Sequence, residues 1–287
     1  MTRLSPDALT RLLGVAAVAA LAAAEPASAQ TDYYNTDAGR PVQIEDAYPV
    51  ERRAFEIQAA PLRLERSRSG VYNWGIEPEL AYGILPRTHV EVGVPLAYVD
   101  AGAGGSTAGL AGIHLSAFHN LNVETVIPAL AVVAGVLLPV GHLGPDQAYP
   151  SVKGIATKTF RWVRFHVNTE YTFGKGPDAS ADVNGEYTLG AQPAATGAAA
   201  ELSRWMTGVA VDRTFPLRSM LITGEVYARE PLSGSEDLEW NTGAGLRYQL
   251  SPRFNIDGGI GRRVTGDDQG WYATFGTAYA VGLPWRP

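Results

Sequence analysis

The chain of 287 residues carries a formal charge of −6, 32 glycines, 18% charged residues and no cysteine. A mildly acidic chain without a basic tract argues against a nucleic-acid partner, and without cysteine there is neither a disulfide framework nor a thiolate metal site. Length alone allows one large barrel or two small domains, and the glycine and aromatic content with so little charge favours the barrel.

Residues 1–29 read as a signal peptide. Arg3 and Arg11 precede the apolar run Leu12 to Ala24, which ends on the small-x-small site Ala27-Ser28-Ala29. That run falls short of the roughly 20 residues a spanning helix needs, and the most apolar later stretch, Pro128 to Val140, is broken by Gly135 and Pro139. Residues 30–50 are polar, aperiodic and proline-containing, and are expected to form a periplasmic N-terminal lead-in, with folding into the barrel mouth left open.

From residue 51 to 287 alternating apolar and polar runs recur, separated by turns. Arg53 to Glu65 is a weak member whose apolar phase slips near Ala59 to Pro61, which predicts a bulge. Trp74, Ile76, Pro78, Leu80, Tyr82 and Ile84 then alternate against Gly75, Glu77, Glu79, Ala81 and Gly83. After the tight turn Leu85 to Thr88, Val90, Val92, Val94, Leu96 and Tyr98 share one face of the clearest strand, His89 to Val99. Further strands are predicted at Leu110–His119, Pro128–Val140, Val152–Thr159, Phe165–Phe173, Met206–Thr214, Met220–Arg229, Trp240–Leu250, Phe254–Gly261 and Trp271–Val281. These make about twelve strands, an even number, as a single-chain bacterial barrel requires.

Connections near Pro86, Asn122, Trp162, Pro216 and Pro252 are short, whereas those at 100–108, 141–150, 174–203 and 230–239 are longer and rich in Gly, Pro, Ser and Asp. Short turns face the periplasm and long loops the outside, so both termini are expected on the periplasmic side. Aromatic residues fall at predicted strand ends: Trp74, Phe173, Trp240 and Trp271 toward the loops, and Tyr82, Trp162, Tyr248 and Tyr279 toward the short turns. Such placement matches interfacial girdles. The fold class is therefore all-β, a transmembrane antiparallel up-and-down barrel in the bacterial outer membrane.

The segments Asp46 to Glu56, Glu77 to Gly83, Ala156 to Phe160, Asn168 to Tyr171 and Trp240 to Arg263 resemble the outer-membrane proteins associated with meta-pathway phenol degradation. The resemblance implies an outer-membrane barrel with a transport role. One departure is the C-terminus: many such barrels end on an aromatic residue read by the assembly machinery, whereas this chain runs on through Pro284-Trp285-Arg286-Pro287.

Alternation places Glu56, Glu77, Glu79, Glu91, Glu170, Asp212, Glu225 and Asp257 toward the lumen, together with Arg63, Lys153, His166, Arg247 and Arg263. These are the candidate lining or binding groups. About twelve strands at ~4.8 Å spacing and ~40° tilt give a backbone diameter of about 24 Å, which side chains narrow to a passage on the order of 10 Å. A second possibility is that the charges pair and only fill the barrel.

His114-Leu115-Ser116 has the His-x-Ser spacing of outer-membrane lipid hydrolases. Here, however, the pair is predicted to face the lumen, where two polar residues two apart are expected in any barrel. The histidines show no metal-ligand spacing, so neither metal nor cofactor is expected. The glycines Gly258, Gly259 and Gly261 read as close packing in the wall. The leading expectation is a passive channel for small, aromatic or apolar solutes, partnered by outer-membrane lipid and, during biogenesis, the assembly machinery. The alternatives are a lipid hydrolase and a non-conducting structural barrel.

Overall fold

The computed structural model describes residues 35–67, 72–100, 105–176, 202–232, 238–266 and 269–282. The expected signal peptide, most of the 174–203 loop and the C-terminal Pro284 to Pro287 lie outside the described residues.

The strand segments are β1 (Ala54–Ser67), β2 (Tyr72–Leu85), β3 (Thr88–Gly93), β4 (Leu96–Asp100), β5 (Ser106–Leu110), β6 (Ile113–Asn120) and β7 (Ala129–Leu138). They continue as β8 (Tyr149–Thr159), β9 (Arg164–Thr172), β10 (Ser203–Phe215), β11 (Met220–Pro231), β12 (Glu239–Ser251), β13 (Phe254–Arg263) and β14 (Gly270–Gly282). All pair antiparallel in one sheet, and β1 pairs with both β2 and β14, from Ala54↔Gly282 to Ser67↔Gly270, so the sheet closes on itself. Closure leaves no bare edge, the condition for strands in hydrocarbon.

These segments form twelve staves. β2 pairs with β3 through Glu79 to Leu85 and with β4 through Asn73 to Ile76, which makes β3 and β4 one stave broken at Val94-Pro95. β5 and β6 are likewise one stave broken at Ala111-Gly112. The sequence reads His89 to Val99 as unbroken; the break there arises because Pro95 has no N–H to give the ladder, and the second break falls where Gly112 sits at φ 125°, a region that favours glycine. The wall stays hydrogen-bonded across both breaks, by Val94 N to Pro78 O at 3.0 Å and Ala111 N to Pro95 O at 2.8 Å. The phase slip in β1 is a register shift between Ala59 and Leu62.

Period two sorts the side chains. Val92, Val167, Val209, Val226, Leu246 and Phe275 are exposed on the outer face, while Glu77, Lys153, His166, Asp212, Glu225 and Arg247 are buried inside. Aromatic residues ring both ends, with Trp74 stacked on Tyr98 at 5.5 Å near the long loops and Phe160 edge-on to Phe165 at 5.6 Å near the short turns. No helix among the described residues is long and apolar enough to cross a membrane, which says nothing against strands doing so.

The lumen is occupied. Residues 35–50 run inside the cylinder, with Thr36, Arg40, Val42, Ile44, Asp46 and Ala47 buried. Residues 35–50 therefore narrow the passage inferred from strand number alone.

Candidate functional site

A chain threaded through a closed barrel faces a difficulty: strand N–H and C=O groups are already spent on neighbouring strands, so its own backbone must find side chains. The inward residues supply them. Glu225 Oε2 accepts from the backbone N–H of Gln43 at 2.8 Å and of Ile44 at 2.9 Å. Asn168 presents both ends of its amide to Glu45, accepting from its N–H at 3.0 Å and donating to its carbonyl at 2.9 Å. Ala47 donates to Thr157 Oγ1 at 3.0 Å and accepts from Asn120 Nδ2 at 2.8 Å. Thr274 Oγ1 donates to the Pro41 carbonyl at 2.9 Å, and Val50 N–H donates to His89 Nδ1 at 3.1 Å.

Charge pairing adds a second set of anchors. Arg40, wholly buried, places Nη2 2.6 Å from Asp257 and 3.1 Å from Asn255 Oδ1. Arg247 reaches the Asn35 carbonyl, Asp37 at 3.0 Å and the Arg40 carbonyl at 3.0 Å. Lys153 Nζ lies 2.7 Å from Glu45 and 3.5 Å from Glu170. Each is a buried charge whose desolvation is offset only by such partners, so removing one partner leaves the other uncompensated.

Space for the segment comes from the wall. At Gly245 a Cβ would lie 2.6 Å from Pro41 Cβ, and at Gly259 it would run into the Pro41 carbonyl. The glycines of β12 and β13 thus admit the luminal chain as well as the close strand packing read from sequence. On the opposite side Ala47 seats against Phe118, Ala129, Ala131 and Ile155, a small apolar patch on inward positions of β6 to β8.

His166, Asp212 and Thr157 form a continuous chain. His166 Nε2 lies 2.8 Å from Asp212 Oδ2 and its Nδ1 3.0 Å from Thr157 Oγ1, while Arg164 grips Asp212 at 2.9 and 2.6 Å. A carboxylate can only accept, so Nε2 facing Asp212 carries the ring proton; Nδ1 of the neutral ring then accepts from the Thr157 hydroxyl, which leaves the Thr157 oxygen to accept from Ala47. The order of groups matches an acid, base and nucleophile, but the ring and both oxygen partners are buried beneath the segment. Its evident work is to hold Thr157 in the orientation that Ala47 needs.

The candidate lumen residues divide by what they touch. Glu225, Lys153, Arg247 and Asp257 hold the segment directly, and His166 and Asp212 act through Thr157. Arg63 pairs with Glu65 at 2.7 Å and lies over the Tyr272 ring at 4.1 Å, and Arg263 meets Glu239 at 3.2 Å. Glu77 and Glu79 are buried in the wall of β2, with Glu77 4.0 Å from His114 Nδ1. Glu170 lines a cavity of about 490 Å³ at the long-loop end, with Gln43, His114, Tyr149, Ser151 and Met206. Glu56 and Glu91 line another of about 640 Å³ at the short-turn end, with Asn35, Asp37, Val50 and Arg247. Both volumes include open solvent. His114 and Ser116 both lie on β6, and no hydrogen bond joins them. No cluster of three or more metal-binding side chains occurs among the described residues.

Sequence reasoning missed Arg40, Gln43, Glu45, Asp46, Asn120, Thr157, Arg164, Asn168, Asn255 and Thr274 as parts of this site. The inward positions of the strand residues follow from alternation, but nothing in one dimension says that their partner is residues 35–50.

Comparison with solved structures finds the same barrel fold. An outer membrane channel from Pseudomonas putida F1 is 11% identical, with a TM-score of 0.53 over 82% of this chain and 98% of its own. The KdgM porin (9% identity, TM-score 0.46, 79% of this chain and 98% of its own) and the CymD monoaromatic hydrocarbon channel (8%, 0.42, 81% and 90%) were also found. No curated protein matches the chain. The family model described as "Putative MetA-pathway of phenol degradation" matches residues 38–281, from the luminal segment to the closing strand, and the chain belongs to that family.

Proposed function

We propose that the protein is a passive channel of the bacterial outer membrane for small solutes, with both termini periplasmic and residues 35–50 forming its constriction. The observation that carries this reading is a charged, polar lumen in which residues 35–50 lie between a cavity at the long-loop end and one at the short-turn end. Family membership and the likeness in fold to an outer membrane channel support it, and the family's description directs attention to phenol-like solutes. Lipid on the oily outer face and the assembly machinery during biogenesis are the other partners this reading entails.

Passage past the segment requires its displacement. In planar bilayers, wild-type protein is expected to show a small conductance with brief larger openings, and protein lacking residues 35–50 a conductance several-fold larger. A deletion variant that folds yet passes no current would overturn the channel reading. The density of buried anchors on residues 36–47 favours one second reading, a structural barrel whose lumen is permanently filled, and wild-type protein that never opens while the folded deletion variant conducts would support it. The hydrolase reading of His114 and Ser116 gains nothing from their geometry.

A further inference from the structure

The cavity at the short-turn end has an electrostatic character that conduction of neutral solutes does not explain. The register sets Ala280 of β14, Glu56 of β1, Ala81 of β2 and Glu91 of β3 in one row across four neighbouring strands. Glu56 and Glu91 therefore stand about 10 Å apart at the backbone, two strand spacings, with only the methyl group of Ala81 between them. One step along, Gln58 is level with Glu79. None of Glu56, Glu79 and Glu91 is within ion-pair distance of a lysine, arginine or histidine among the described residues.

Neighbouring acceptors make the imbalance sharper. Gln58 is 2% exposed and donates its amide N–H to Glu56 at 3.1 Å, yet its Oε1 has no hydrogen-bond partner. Asn35 Oδ1 is also without a partner. Arg247, the one arginine among the described residues that line the cavity, has both terminal nitrogens committed to the segment, and its Nε is buried without a hydrogen-bond partner. Carboxylates and amide oxygens in a half-buried enclosure call for a donor carrying positive charge. No three of the acidic or histidine side chains among the described residues converge tightly enough for a metal ion, whereas an ammonium group brings three N–H donors and reaches further. Val50, Ala54 and Ala280 give the same cavity an apolar side.

We propose that this cavity is a binding site for a small amphipathic organic cation, with its ammonium group held between Glu56 and Glu91 beside Gln58 and its apolar body against Val50, Ala54 and Ala280. The site goes beyond the channel reading and does not depend on conduction. It adds a charge requirement that a phenol-like solute does not meet.

The test is calorimetric titration of the refolded full-length protein in detergent with benzylammonium, benzyl alcohol and benzoate. Saturable binding of benzylammonium is expected, with the alcohol at least tenfold weaker and benzoate unbound. Glu56→Gln with Glu91→Gln should weaken benzylammonium binding at least tenfold, and Glu230→Gln should leave it unchanged. Glu91→Gln alone, expected to weaken binding several-fold, serves if the double variant fails to fold. Absence of saturable benzylammonium binding overturns the proposal, as does unaltered binding in the variants. Equal binding of benzoate or the alcohol, or competition by potassium at equal concentration, overturns the assignment to an organic cation. Because binding is read without a membrane, its loss and the loss of conductance are separate outcomes.

Discussion

At the scale of single residues, the lumen is governed by where backbone groups without strand partners find relief. Thr157 illustrates this: its oxygen accepts from Ala47 and its hydroxyl is fixed by His166. Thr157→Val keeps the shape and removes the acceptor, at a cost of about 1 kcal/mol to docking of the segment, or about fivefold in its release. Single-channel recording should show a matching rise in the fraction of large openings, and an unchanged record would remove Thr157 from the latch. Outside the membrane-spanning strands, Glu124 sits in the turn between β6 and β7. Its partial burial alone would raise its pKa, but the Thr159 N–H and hydroxyl, Lys158 and the Tyr48 hydroxyl together hold it below the usual value. A depressed folded pKa means stability that is present above the unfolded value near 4.3 and lost as pH falls through the folded one. Glu124→Gln should therefore cost about 1 kcal/mol at pH 7, and the gap between variant and wild-type unfolding curves should narrow as pH falls below the unfolded value.

At the scale of elements, the broken staves and the luminal segment are where sequence and structure part. Strand faces were legible because period two holds along the strands outside the β1 bulge: Val92 and Leu246 point out, Glu91 and Arg247 in. The bulge in β1 was legible as a phase slip. The split at Gly112 was not, because a glycine within an alternating run reads equally as curvature or as a change of φ sign. Residues 35–50 were legible as an aperiodic, polar lead-in with folding into the barrel mouth left open, but not their docking, since the property that matters, complementarity to Glu225, Asn168 and Thr157, exists only after closure brings β8, β9 and β11 to the same lumen. Gly112→Ala tests the break. Its φ of 125° is strained for any Cβ, which would also lie 2.6 Å from Leu137 Cδ1. A loss of about 1–3 kcal/mol is expected, seen as unfolding at lower urea concentration than wild type, while Gly154→Ala, whose Cβ would find Thr169 at an ordinary 3.7 Å, should cost less.

At the scale of the whole molecule, two solvents set the stability of the two faces. Val167, Val209 and Val226 form one outward row across β9, β10 and β11, with Val209 at the middle of its strand. That position lies near the bilayer midplane, where arginine costs about 2–4 kcal/mol, falling to about 0–1 near the interfaces. Val209→Arg should therefore destabilise the barrel in lipid vesicles by about 2–4 kcal/mol. The same change at Phe215, at the end of that strand beside the short turn, should cost about 1 kcal/mol or less. Urea unfolding followed by the mobility of the unheated protein in detergent gels would measure both. Equal costs at the two positions would mean that the outer face does not meet a graded hydrocarbon layer. A larger cost at Phe215 would instead make its contacts with Arg213 and the turn, not the bilayer, the dominant influence at that end.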